Sequence, residues 1–209
     1  GVSDIDGSKS LNKKILNICK NFNPDIIILG HADKIKQETI EEIKERNKTI
    51  KFSQWFLDPI NNYGPDFIKN KQRFLSKYNL MDANFITTSP DAINFLTDKE
   101  KCFFIPNPCD EALDNLDIYK NNSFNDIFFA MSHGVHRGVL KSGKDDERYK
   151  LLTKIENNKY FKTDFYGFKN IQPIWAERFL EKISNSKMGL NLSRGKPVKY
   201  YSSDRIAQF

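Results

Sequence analysis

Long apolar runs are missing from this 209-residue chain. No stretch approaches the roughly 18 residues that a membrane-spanning helix needs, so no part of it reads as one. The opening residues show no basic segment followed by an apolar one, and so do not read as a secretory signal. Cysteine is scarce: Cys19, Cys102 and Cys109. An odd number without metal-type spacing argues against a disulfide framework or a zinc module, and a reduced, cytoplasmic setting is expected. Histidine is as sparse, at His31, His133 and His136. The last two lie three apart with no cysteine or carboxylate cluster beside them, so no metal site is expected. No short-period repeat is visible, which argues against a solenoid. Neither charge sign dominates: 33 Lys and Arg stand against 27 Asp and Glu, net +6. The excess is spread along the chain, not clustered on one helix or interleaved with aromatics, so nucleic acid is not an expected partner. Phosphate-bearing ligands and peripheral contact with an anionic membrane are the partners such a balance suits.

Aromatic residues are plentiful, with 17 Phe and 8 Tyr, so core material is not limiting. The pattern alternates helix and strand. Leu11, Ile15, Ile18, Cys19 and Phe22 recur at helical spacing over 11–22. Asp25–Gly30 is a continuous apolar run, as in a strand covered on both faces. A helix is expected over 37–47, a strand over 49–57, and a helix opening at Pro65. The next strand falls at 84–88, and Ser89-Pro90-Asp91 reads as a capped helix start. A fourth strand covers 101–105. Residues 111–125 are polar and aperiodic and read as a linker. The theme then resumes: strand 126–131, a Gly-rich basic loop 132–144, helix 145–157, strand 163–168, and a helix from Pro173 to Ser186 carrying Trp175, Phe179 and Ile183. A strand at 188–192, a basic loop and a helix opening at 200–203 close the chain. Such alternation predicts an α/β protein of two Rossmann-like domains with parallel sheets, 1–110 and 126–209.

Ligands of open α/β sheets bind beyond the carboxyl ends of the strands. In the first half those ends are followed by His31 and Asp33, by Asp58 and Asn61, by Ser89, and by Asn107. In the second half they are followed by Ser132, His133, His136, Arg137, Lys141 and Lys144, then by Gly167, Lys169 and Asn170. Ser193, Arg194, Lys196 and Arg205 come last. A hydroxyl-rich basic loop feeding a helix start suits an anion, and it equally suits an ordinary connection with solvated charges. The first half thus offers proton-handling groups and the second offers cations.

The turn Pro106-Asn107-Pro108-Cys109-Asp110, the strand opening Asp126–Met131, and Ser186–Ser193 followed by Asp204–Phe209 together resemble the GT-B glycosyltransferases. The likeness is to those with a family-1-type donor domain, the CgeB-like spore-maturation group. It extends over most of the chain. The resemblance implies an acceptor-side domain at 1–110 and a donor domain at 126–209, with the second domain incomplete and the chain a fragment. It implies a metal-independent transfer of sugar from a nucleotide-activated donor, with no further cofactor, to the hydroxyl of a glycan, lipid-linked or protein acceptor. His31, Asp33 and Asp58 are then candidate bases, since transfer with inversion deprotonates the acceptor hydroxyl. Arg137 and Lys141 lead the candidates for holding the diphosphate, with Ser193, Arg194, Lys196 and Arg205 behind them. Gln208 falls where the family carries an acidic ribose contact. Two other classes stay open: a non-catalytic sugar- or nucleotide-binding module, and a nucleotide-sugar epimerase of the same architecture.

Overall fold

The computed structural model describes residues 7–64, 66–112, 120, 122–132, 135–136, 139–140, 148–193 and 195–209. It divides into two compact units, Gly1–Pro106 with Lys196–Tyr201, and Asn107–Gly195 with Ser202–Phe209. The fold is α/β with parallel sheets, consistent with a Rossmann-like class. The division falls at Pro106, and residues 196–201 belong with the first unit, whereas the sequence places them in the second domain.

The first unit runs α1 (Lys9–Phe22), β1 (Ile26–Gly30), α2 (Gln37–Arg46), β2 (Lys51–Phe56), α3 (Phe67–Tyr78), β3 (Ala83–Ile86) and β4 (Cys102–Phe104). Its strands lie in chain order, β1-β2-β3-β4, all parallel. Each right-handed crossover therefore steps the same way, and such steps put every connection on one face of the sheet. The core agrees. Leu29 and Phe52 pack with Ile40 and Ile43 of α2 and with Leu11, Ile15 and Leu16 of α1. On the same face by register, Phe56 and Ile86 pack with Phe74 and Tyr78 of α3.

Two expectations change here. The apolar run of β1 was expected to be covered on both sides, yet Ile26 and Ile28 are 62% and 67% exposed. Among the described residues, no helix is placed on their face, because the strand order gives no connection there. On α1 it is Leu16 that packs inward, while Ile18 and Phe22 are exposed. The helix expected after Ser89 is a single 3-10 turn, Pro90–Ala92. Ile93 and Leu96 still reach the core from irregular backbone, which avoids the cost of nucleating a helix for so short a segment.

The second unit contains β5 (Asn125–Ala130), a short antiparallel pair β6 (Val135–His136) and β7 (Val139–Leu140), α4 (Arg148–Glu156), β8 (Thr163–Tyr166), α5 (Ala176–Ser184), β9 (Ser186–Gly189) and α6 (Arg205–Gln208). The sheet order is β8-β5-β9, with both neighbours parallel to β5. The chain therefore steps one way from β5 to β8 and back past β5 to β9. Reversing direction moves the connecting helix to the other face. Accordingly, Ile127, Phe129 and Phe165 pack with Leu152 of α4, and Phe128 and Ala130 pack with Phe179 and Ile183 of α5. Trp175 precedes α5 and is half exposed instead of joining that core. The strand expected at 188–192 is shifted to Ser186–Gly189, and the helix expected to open at 200–203 spans only Arg205–Gln208.

Candidate functional site

In the first unit the carboxyl ends of β1 and β2 carry His31, Asp33 and Asp58. The structure brings all three onto one side chain, Arg73 of α3. Arg73 Nη2 lies 2.9 Å from Asp33 Oδ2 and 3.2 Å from His31 Nδ1. Its Nη1 lies 2.7 Å from Asp58 Oδ2 and 3.3 Å from Asn70 Oδ1. The guanidinium carbon stands 5.2 Å from the centre of the Phe56 ring. The His31 ring stacks on the same ring at 6.5 Å with 25° between planes. His31 itself adopts φ 45°, a left-handed conformation that is uncommon for a residue other than glycine.

The electrostatics follow from this geometry. Burial works against the charge on Arg73, but hydrogen bonds and charge from Asp33 and Asp58 outweigh it and push its pKa up. One turn further along α3, Lys77 is buried, and burial pulls its pKa down; Asp33 opposes that shift and Arg73 adds to it. At the same end of the sheet, Asn61 Nδ2 and Thr88 Oγ1 are buried with no hydrogen-bond partner among the described residues. Buried polar groups are nearly always satisfied, so two orphans beside one set of strand ends fit a place where something else binds.

Lys196, read from the sequence as a phosphate ligand, lies in the first unit with its Nζ 5.1 Å from the Tyr63 ring centre. Nearby in sequence, the Lys199 carbonyl accepts from the Ser89 backbone N–H at 3.2 Å.

In the second unit the reversal in strand order creates a topological switch point at the carboxyl ends of β5 and β9. In open α/β sheets that crevice is where ligands bind. Arg205 spans it: Nη1 donates to the Ala130 carbonyl at the end of β5, and Nη2 donates to the Leu192 carbonyl beyond β9, both at 2.9 Å. Its guanidinium also lies 5.5 Å from the Phe129 ring centre. Arg148 Nη1 reaches the same Leu192 carbonyl at 3.4 Å. Ser203 Oγ donates to Asn191 Oδ1 at 2.5 Å. Ser193 is half-buried on this loop, and Gln208 is exposed on α6. The Asn107 amide is bonded to the Ser202 carbonyl at 2.9 Å. Arg137, Lys141 and Arg194 lie outside the described residues, as do His133 and Lys144.

Sequence reasoning missed Arg73, the residue on which the first set converges. It sits on a helix among Lys69, Lys71 and Lys77, where one more cation carries no distinguishing signal. Arg205 was read as a ligand-facing cation, yet two of its donors serve backbone carbonyls. Among the described residues, no group of three or more His, Cys, Asp or Glu side chains could hold a metal ion. No described helix is long and apolar enough to cross a membrane. In comparisons with known proteins, no family model and no curated sequence matches the chain.

Proposed function

We propose that the protein is a glycosyltransferase that moves sugar from a nucleotide-activated donor to an acceptor hydroxyl without a metal ion. The observation that carries this reading is the switch point in the second unit. There a doubly wound parallel sheet opens at the ends of β5 and β9, with an arginine, Arg205, and the hydroxyls of Ser193 and Ser203 on the segments around it. With Nη1 and Nη2 engaged by backbone carbonyls, Arg205 contributes through its charge, which offsets the charge that builds on a departing diphosphate at such a crevice. The first unit supports the other half of the reaction. Asp58 and Asp33 are held in fixed orientation by Arg73, each through Oδ2. A carboxylate has two oxygens, so either can accept the proton of an acceptor hydroxyl through Oδ1.

The test is calorimetric titration with UDP-, GDP- and ADP-sugars, followed by mass-spectrometric product analysis. One nucleotide class should release heat, and a glycoside should form. No heat with any donor overturns the reading. One observation favours a second reading, a sugar- or nucleotide-binding module: both candidate carboxylates are already engaged by Arg73. Under it, donor binds, no glycoside forms, and Asp58→Asn leaves affinity unchanged.

A further inference from the structure

We infer that Arg73 is a positioning residue that fixes His31 as a hydrogen-bond donor, so that His31 recognises an oxygen lone pair and leaves proton abstraction to a carboxylate. This rests on the proposed glycosyl transfer only for the identity of the ligand; the state of the imidazole stands on geometry. A guanidinium has donors and no acceptor, and stays charged at any pH a folded protein meets. At 3.2 Å from Arg73 Nη2, His31 Nδ1 can therefore only be the accepting nitrogen. In the neutral ring the proton is then on Nε2. A base must offer a lone pair, and the single lone pair of this ring points at Arg73. What His31 presents outward is an N–H.

The surroundings make the arrangement rigid. Arg73 is tied at Nη1 to Asp58 and Asn70 and at Nη2 to Asp33, so it is not free to turn away. Phe56 backs both the guanidinium and the imidazole, which sets the two groups at fixed heights above one ring. Asp33 and Asp58 balance the cation at Arg73. The ligand group this site takes is an acceptor oxygen, such as a sugar hydroxyl oxygen or a carbonyl, lying across from Nε2–H.

A chemical probe tests this without any turnover. Diethyl pyrocarbonate acylates a histidine through its unprotonated nitrogen. His31 is exposed, so an uncapped ring would react as fast as a free histidine peptide. With Nδ1 capped, mass spectrometry of the peptide holding His31 should show acylation slower by on the order of tenfold, as expected for a hydrogen bond to a charged donor. Arg73→Gln should abolish that protection, and Arg73→Lys, which still offers only donors, should restore part of it. Histidine 15N spectra at pH about 8.5, some two units above the ordinary histidine pKa, give a second readout on the unaltered protein. They should show Nε2–H alone at His31. Acylation of wild-type His31 at the free rate, or an Nδ1–H ring, overturns the inference even if sugar transfer is found. Protection with no donor binding overturns only the proposed function. Once transfer is measured, His31→Gln, whose amide N–H stands near the Nε2 position but cannot act as a base, should retain activity within about tenfold. Loss as complete as in His31→Phe would overturn the donor role.

Discussion

Replacing Gly167 with alanine should remove a large part of the second unit's stability. Gly167 follows β8 and holds φ +68°, where an L-residue costs about 1–2 kcal/mol. The added Cβ would stand 1.8 Å from the Met131 carbonyl oxygen and 2.8 Å from its carbon. No rotamer relieves this, because both atoms belong to backbone. Met131 cannot retreat cheaply, since its N–H donates to the Tyr166 carbonyl at 3.0 Å in continuation of the sheet ladder. Losing that bond costs about 1 kcal/mol, and forced displacement in a packed region adds about 1–3 kcal/mol. The expected loss is about 3–6 kcal/mol, large against the roughly 5–15 kcal/mol of a whole domain. Two controls separate the causes. Gly7 holds φ +63° with nothing within 4 Å of an added Cβ, so Gly7→Ala carries strain alone. Gly30 also has nothing within 4 Å and an ordinary φ, so Gly30→Ala should be near neutral. The assay is native-state hydrogen exchange, read in peptides covering β5 and β8 for Gly167→Ala and in peptides covering α1 and β1 for the two controls, so that each unit is read by itself. If the loss of protection in β5 caused by Gly167→Ala is no larger than the loss in α1 and β1 of the first unit caused by Gly7→Ala, to within about 1 kcal/mol, the close approach of the two strand ends is refuted.

Asp82 accepts from the Phe52 N–H at 2.9 Å and pairs with Lys44 and Lys51. Burial opposes its charge, but these contacts outweigh burial and lower its pKa below 3.8. Its stabilisation is therefore present above pH 3.8 and lost as pH falls through the lower folded value. Asp82→Ala should cost about 1 kcal/mol at pH 7 after allowing for solvent screening, and the gap to wild type should close below that window in urea titrations. Gly189→Ala would put a Cβ 2.7 Å from the Phe209 ring, which stacks on Phe179 and meets Phe128 edge-on. Because Phe209 is partly exposed and can swing away, the cost should be about 1 kcal/mol and should largely disappear in a Phe209→Ala background, as read by a double-mutant cycle. If Asp58 is the base, Asp58→Asn should lower the turnover number about 10²–10⁴-fold with donor affinity kept, measured by product formation and calorimetry side by side.

Much of this protein is legible in its sequence. The apolar run at Ile26–Gly30, the alternation that follows, and the breaks at Asp58-Pro59 and Pro106 mark the strands, because a strand's period and its stop signals are local properties. The placement of His31, Asp33 and Asp58 just past strands was also readable, since a strand end is fixed by the same local pattern. Arg73 was not. It sits forty residues beyond the first carboxylate, on a helix whose phase against the sheet is set by Phe74 and Tyr78 packing on Phe56. Ile26 and Ile28 misled for a related reason: an outward isoleucine and an inward one look alike until the neighbouring connections are placed.

Strand order was decided by tertiary structure alone. A parallel pair can form at either edge of a growing sheet with the same local sequence, and only the right-handed crossover ties direction to face. Stepping one way throughout gave the first unit its single layer of helices. Reversing once gave the second unit helices on both faces and opened the switch point that Arg205 spans. The sequence by itself thus determined which segments are strands and which residues stand at their ends. The fold determined which of those ends meet, because that depends on long-range packing and chain handedness, which no local window of residues contains.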